Sequence, residues 1–230
     1  MIDLNDAPEQ RPDSVIPDGT FCGLKMTIRP GGGNIAGCSE IDLGLFKQSL
    51  TSDVAYLDCQ FAVCGGPHKG RTFFQNMTVA GGKVGEDGVS KGWNITKSVL
   101  RAMVDSALQL DPKDMSEAAK AKRSLRGFHD FDGIEFFARL GIERGGQTPD
   151  GGQYPDKNRI AHIVVPGEPQ YALLRAGQEV APSPSHIKPS GSGGSAPSAP
   201  AQDKPVWQQD TAEVKPVASA GPSWLIGKKQ

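Results

Sequence analysis

Residues 53–79 read DVAYLDCQFAVCGGPHKGRTFFQNMTV. Successive residues of a strand point to opposite faces, so Ala55, Leu57, Cys59, Phe61 and Val63 form one apolar set, with Tyr56, Asp58 and Gln60 opposite. After the turn GGPHKG a second alternation begins. Phe73, Met77 and Val79 share one face, and Thr72, Phe74, Asn76 and Thr78 the other. Two alternating runs around a glycine-rich turn predict a β-hairpin. Adjacent phenylalanines cannot both enter one core, so the pattern places Phe73 inside and Phe74 outside.

The same period recurs on either side. Upstream, TFCGLKMTIR (20–29) follows a Pro-Asp-Gly turn and puts Cys22, Leu24, Met26 and Ile28 inside, with Phe21, Lys25, Thr27 and Arg29 outside. A glycine-rich loop and the apolar patch IDLGLF come next, the patch reading as a short helix or a covering segment. Downstream, WNITKSVLRAMVDSALQL changes to helical spacing, with Ile95, Val99, Ala102, Met103, Ser106 and Ala107 recurring and Leu100, Val104 and Leu108 widening the stripe. Asp111-Pro112 ends that helix, and Asp114 with Glu117 predicts the cap of a second, MSEAAKAKRSLR, stopped by Gly127. Alternation resumes in IEFFARLGIE (134–143), and after the loop RGGQTPDGGQYPDK a last strand, NRIAHIVV, runs to Pro166. Three strands, helices, then two strands is the order of a five-stranded OB-fold barrel, with its helices between the third and fourth strands. A parallel sheet would need a helix in every crossover.

The 230 residues divide unevenly. The order predicts an acidic arm at 1–18, an OB-fold domain at 19–170 and a Pro/Gly/Ser-rich tail at 171–230 ending WLIGKKQ, its linker composition strongest from Ala181. Such a composition buries too little apolar surface to offset its ordering entropy, so the tail is expected to be disordered. The arm holds five acids and one Arg, and residues 181–230 five Lys against three acids. The remainder is near neutral despite the overall net charge of −1, and bulk charge does not mark a nucleic-acid binder. No run of 18 apolar residues and no basic, apolar leader is present, so a membrane span or a signal peptide is not expected. Without that leader the four cysteines predict reduced thiols in a cytoplasmic protein.

The outward sets carry the candidate chemistry. Phe21, Tyr56, Phe74 and Phe137 give four strands an outward aromatic, and Lys25, Arg29 and Arg139 lie among them. His68, Lys69 and Arg71 occupy the hairpin tip, and Lys157 and Arg159 stand beside Tyr154. Cations that follow phosphates, with aromatic faces that stack on unpaired bases, are what single-stranded nucleic acid requires. The cluster Lys120, Lys122, Arg123 and Arg126 reads first as a solvated helix face. No C-x-x-C pair supports structural zinc, and Cys59 and Cys64 point to opposite faces. Asp130, Asp132 and Glu135 could form a carboxylate metal site but read better as a polar turn. No Walker loop, nucleophile elbow or dinucleotide fingerprint appears, so no cofactor is expected.

The opening IPDGT, the turn HKGRTFF, the amphipathic helix and the late YPDKNRI resemble, in that order over residues 16–165, a phage-type family of single-stranded-DNA-binding proteins. The resemblance implies an OB-fold, sequence-tolerant binding and protection of single-stranded DNA in phage or mobile-element replication and recombination, no catalysis, and residence in the bacterial host cytoplasm. It puts Lys69, Arg71, Phe73 or Phe74, Lys157 and Arg159 on the DNA side, and a homo-oligomer is compatible with it. The chain departs from cellular relatives in its terminus: Trp224, Leu225 and Ile226 are apolar anchors with a basic flank where an acidic one is usual. They are expected to dock a replication or recombination protein, or to contact DNA. The rival expectations are a protein–protein adaptor that uses the same aromatics and, third, a metal-dependent nuclease.

Overall fold

The hairpin of residues 53–79 lies inside a larger antiparallel sheet. The computed structural model describes residues 15–184. Within them run β1 (Phe21–Arg29), β2 (Lys47–Gln48), β3 (Ala55–Val63), β4 (Thr72–Ala80), β5 (Glu135–Glu143) and β6 (Lys157–Val164). Long strands are neighbours in the order β4, β3, β1, β5, β6, and the short β2 extends the β1 side of β3. The sheet is open: among the described residues no ladder joins β4 to β6. The expected mainly β fold is an antiparallel sheet, with six strands where five were expected, and the sheet is open. At the seam Gln75 Oε1 of β4 accepts the Ile160 N–H of β6 at 2.9 Å, so a side chain stands where a backbone ladder would close the sheet.

Local alternation translated directly into burial. Cys22, Leu24, Met26 and Ile28, then Ala55 through Val63 at every second position, then Phe73, Met77 and Val79, and then Phe136, Ala138 and Leu140 are all buried. Phe61 stacks on Phe73 with centroids 5.3 Å apart and meets Phe136 edge-on at 6.2 Å, so the first Phe of each double-Phe pair is core. At the hairpin tip Gly70 donates its N–H to Val63 O at a φ of 83°, a backbone that a side chain would strain.

The helices are α1 (Lys91–Leu108), α2 (Glu117–Arg123) and α3 (Pro169–Arg175). Ser90 caps α1 by accepting the Trp93 N–H, and α1 packs against β4, β5 and β6. Leu100, Met103, Val104 and Ser106 of the expected stripe are buried, joined by Thr96 and Asp105 from outside it, while Ile95 is 68% exposed and Leu108 faces water. Ser106 Oγ accepts the Phe137 N–H at 3.1 Å, and Tyr171 of α3 donates its hydroxyl to Ser106 O at 2.7 Å. The α2 cap is Ser116, not Asp114, which lies two residues earlier and instead accepts the Ser116 N–H. The IDLGLF patch is a covering segment: a single turn at Glu40–Asp42 leads to buried Leu45 and Phe46. Buried Asp42 accepts the His129 N–H, and a Cβ on Gly127 would lie 2.5 Å from its carboxylate, which accounts for glycine there.

The folded domain exceeds 19–170 at both ends. Ile16 is fully buried, held by Asn158, whose carboxamide pairs with both its N–H and its C=O at 2.8 Å. At the other end α3 carries buried Tyr171 past residue 170, and Ser183 N–H donates to Gly19 O. The expected anchors Trp224, Leu225 and Ile226, the remaining tail and arm residues 1–14 lie outside the described residues. No helix of the described residues is long and apolar enough to cross a membrane.

All four cysteines are free. Burial pushes the Cys22 and Cys59 thiols up to about 12, so neither supplies a thiolate near neutrality. We predict that iodoacetamide at mildly alkaline pH labels Cys64 and Cys38 in the native chain and spares Cys22 and Cys59 until denaturant is added. Peptide mass spectrometry reads this, and native labelling of Cys59 would contradict the core described above.

Candidate functional site

Strand register assembles the outward residues into one surface. Across β4, β3 and β1, Thr72 aligns with Ala62 and Lys25, Phe74 with Gln60 and Thr27, and Asn76 with Asp58 and Arg29. Tyr56 aligns with Thr78 and, on β2, with Lys47. Phe74 and Tyr56 thus share a face, separated by four residues of strand, or about 13 Å at ~3.4 Å per residue.

Phe74 is the aromatic that this face presents most openly. Its ring is 47% exposed, and the Arg29 guanidinium lies over it, 4.4 Å from the centroid. Arg29 is fixed in turn by Asp58: Nη2 donates to both carboxylate oxygens at 2.6 and 2.7 Å, and Nε to Oδ1 at 3.2 Å. Lys47 Nζ stands 3.5 Å from Asp58 Oδ2 on the other side. Arg29 is committed to an acid and a ring, so it positions Phe74, and its charge is shared with Asp58. The Asp58 and Lys47 contributions were missed in the sequence, where Asp58 was merely a polar position; only the register of β1 against β3 brings it under Arg29.

The hairpin tip continues the surface beyond the Lys25 row. Lys69 is exposed and His68 and Arg71 half-buried. Lys25 and Lys69 both lie close enough to Cys64 to draw its thiol down, against the larger raising effects of burial and Glu135. None of the ion pairs among the described residues uses Lys25 or Lys69.

Six other candidates stand elsewhere. Phe21 and Phe137 follow the outward set, with Phe21 opposite Arg139 and Phe137 opposite Gly23, but α3 covers them. The Phe137 ring meets Tyr171 edge-on at 5.4 Å, so neither is an open platform. Arg139 and Arg159 occupy the outer face of β5 and β6 near Gly141, half-buried and outside every ion pair of the described residues, each with a buried Nε that finds no acceptor. Lys157 pairs with Glu143 at 3.3 Å, and Tyr154 is an exposed loop residue.

The acids weighed for metal chemistry are engaged otherwise. Asp130 is paired with Arg126 at 2.6 Å, whose hydrogen bonds hold its carboxyl below the usual range, and Asp132 Oδ1 accepts the Ile28 N–H at 2.8 Å. No group of three His, Cys, Asp or Glu side chains among the described residues is placed to hold a metal ion. Compared with protein-family models and with curated proteins, the chain matches none.

Proposed function

We propose that the protein binds single-stranded DNA without catalysis and with little dependence on base sequence, as a coating and protecting protein of phage or mobile-element replication or recombination. The observation that carries this reading is Phe74, a half-exposed ring on a polar strand face, with the Asp58-bound Arg29 guanidinium over one side of the ring and Lys25 and the Lys69 tip flanking it. A ring held in place loses little entropy when a base stacks on it, and every base offers a π-face. We read the sheet as a partly open OB-type barrel, an architecture in which the second and third long strands and the adjoining loops take oligonucleotides. Here those strands are β3 and β4.

A second reading, a protein–protein adaptor, draws on a separate feature. Between α1 and α2 lies an apolar groove of about 660 Å³ lined by Trp93, Leu100, Met115, Leu125 and Phe128. The two readings are compatible on one chain, because groove and Phe74 face involve different residues.

Fluorescence anisotropy with an oligo-dT and the equivalent duplex, across a salt series, tests the proposal. We expect the single strand to bind more tightly and log K to fall linearly with log salt, with a slope near −0.7 per phosphate neutralised. No binding to oligo-dT at low salt overturns the reading and leaves the adaptor. Metal-dependent loss of the oligonucleotide would instead restore the nuclease.

A further inference from the structure

The covered pair, Phe21 and Phe137, encloses space. Outside the sheet, α3 and the segment that follows it return across β1, tied down by Ser183 N–H on Gly19 O at 3.0 Å and by the Tyr171 hydroxyl on Ser106 O at 2.7 Å. Between this cover and the β3–β4 hairpin is a cavity of about 360 Å³. Phe21, Phe137, Leu174 and Val180 wall it, and Cys64 and His68 line its hairpin side. Cys64 is exposed, so the cavity opens toward the hairpin, where Lys25 and Lys69 stand.

We infer that this cavity receives one unstacked nucleobase of the bound strand. The inference rests on the single-stranded-DNA reading and sharpens it, because Phe21 and Phe137 become walls of a pocket instead of open platforms. Size supports one flat heterocycle: ligand pockets run from about 300 to 1,000 Å³, and this one lies at the small end. Its wall chemistry agrees, since aromatic and aliphatic side chains suit the faces of a base and the His68 imidazole offers a polar group to its edge. Lys25 and Lys69 near the hairpin side would contact the phosphates of an inserted nucleotide, set against Glu135, which lies across from Lys25, and Glu179 in the cavity lining. Lys25 stands in the row next to that of Phe74, so a strand stacked on Phe74 reaches the pocket along β1 past Lys25.

The native chain carries its own reporter in Cys64, with Cys38, which does not line the cavity, as internal control. Thiol modification would be followed peptide by peptide while anisotropy measures occupancy in the same samples. The two probes are oligo-dT and an abasic oligomer of equal length, each brought to equal occupancy. We expect oligo-dT to slow Cys64 modification about tenfold at nine-tenths occupancy, the factor being set by the unoccupied fraction. The abasic strand should leave Cys64 near its free rate, and neither should alter Cys38. Binding of oligo-dT with Cys64 unprotected overturns the pocket and leaves the Phe74 face intact. Equal protection by both strands also overturns it, because a passing backbone then accounts for the shielding. Absence of any oligo-dT binding removes the functional reading itself.

Discussion

Phe74→Ala should raise the dissociation constant for oligo-dT by about 5- to 150-fold, the equivalent of about 1–3 kcal/mol for one lost stacking platform. The melting temperature should move little. The ring is 47% exposed and its buried contact is largely the Arg29 guanidinium, a cation–π pair worth about 0.5–1 kcal/mol at an exposed site. Phe73→Ala provides the contrast. It removes a core ring stacked on Phe61 and should cost about 3–5 kcal/mol of stability. Phe74→Tyr should retain affinity, because the π-face remains. Arg29→Ala combined with Asp58→Asn separates positioning from charge, because the pair is removed with no net change: if Arg29 acts by holding Phe74, the double variant weakens binding while the salt slope is almost unchanged. Unaltered affinity in Phe74→Ala would show that the ring is not a base platform, and the adaptor reading would then take its place.

What was legible in the sequence follows from range. Period-two alternation is local, and it placed Phe73 inward and Phe74 outward, as the buried and half-exposed rings show. It also separated Phe136 in the core from Phe137 on the outer face. Features set by register or by distant partners were hidden. Asp58 beneath Arg29 depends on how β1 slides against β3, and Gln75 at the seam on how β4 meets β6. The cover over Phe137 comes from Pro169–Arg175, a helix too short to show a period and bordered by linker-like sequence. The α1 stripe misled for another reason. Apolar content pointed to Ile95 and Leu108, but the buried face takes in Thr96 and Asp105, polar groups outside the expected stripe. Asp105 depends on a partner from another helix.

That partner is Arg123, and its loss should be strongly destabilising. Sequence placed Arg123 in a solvated cluster with Lys120, Lys122 and Arg126, yet it is drawn inward from the end of α2. Its Nε donates to Asp105 Oδ1 at 2.6 Å, and its Nη atoms donate to the carbonyls of Asp111 and Asp114 in the connection between α1 and α2. Asp105 is 2% exposed, and its other charged neighbour, Arg101, stands 3.8 Å away. Arg123→Ala therefore leaves a buried carboxylate nearly unpaired and takes the Arg123 donor from the Asp114 carbonyl, while Asp111 O keeps the Asp114 N–H. Breaking one side of a buried pair costs about 3–5 kcal/mol. For a domain of this size that is a fall in melting temperature of about 6–20 °C. Arg123→Lys should recover little, because a point charge cannot serve a carboxylate and two carbonyls from one planar group. Asp105→Leu combined with Arg123→Met should recover much of the loss, since replacing both partners removes the stranded charge. At a temperature where every variant is folded, oligo-dT affinity should match that of the parent. A melting temperature within a degree of the parent for Arg123→Ala would refute the clamp, and weakened DNA binding by the folded variant would make Arg123 a DNA contact.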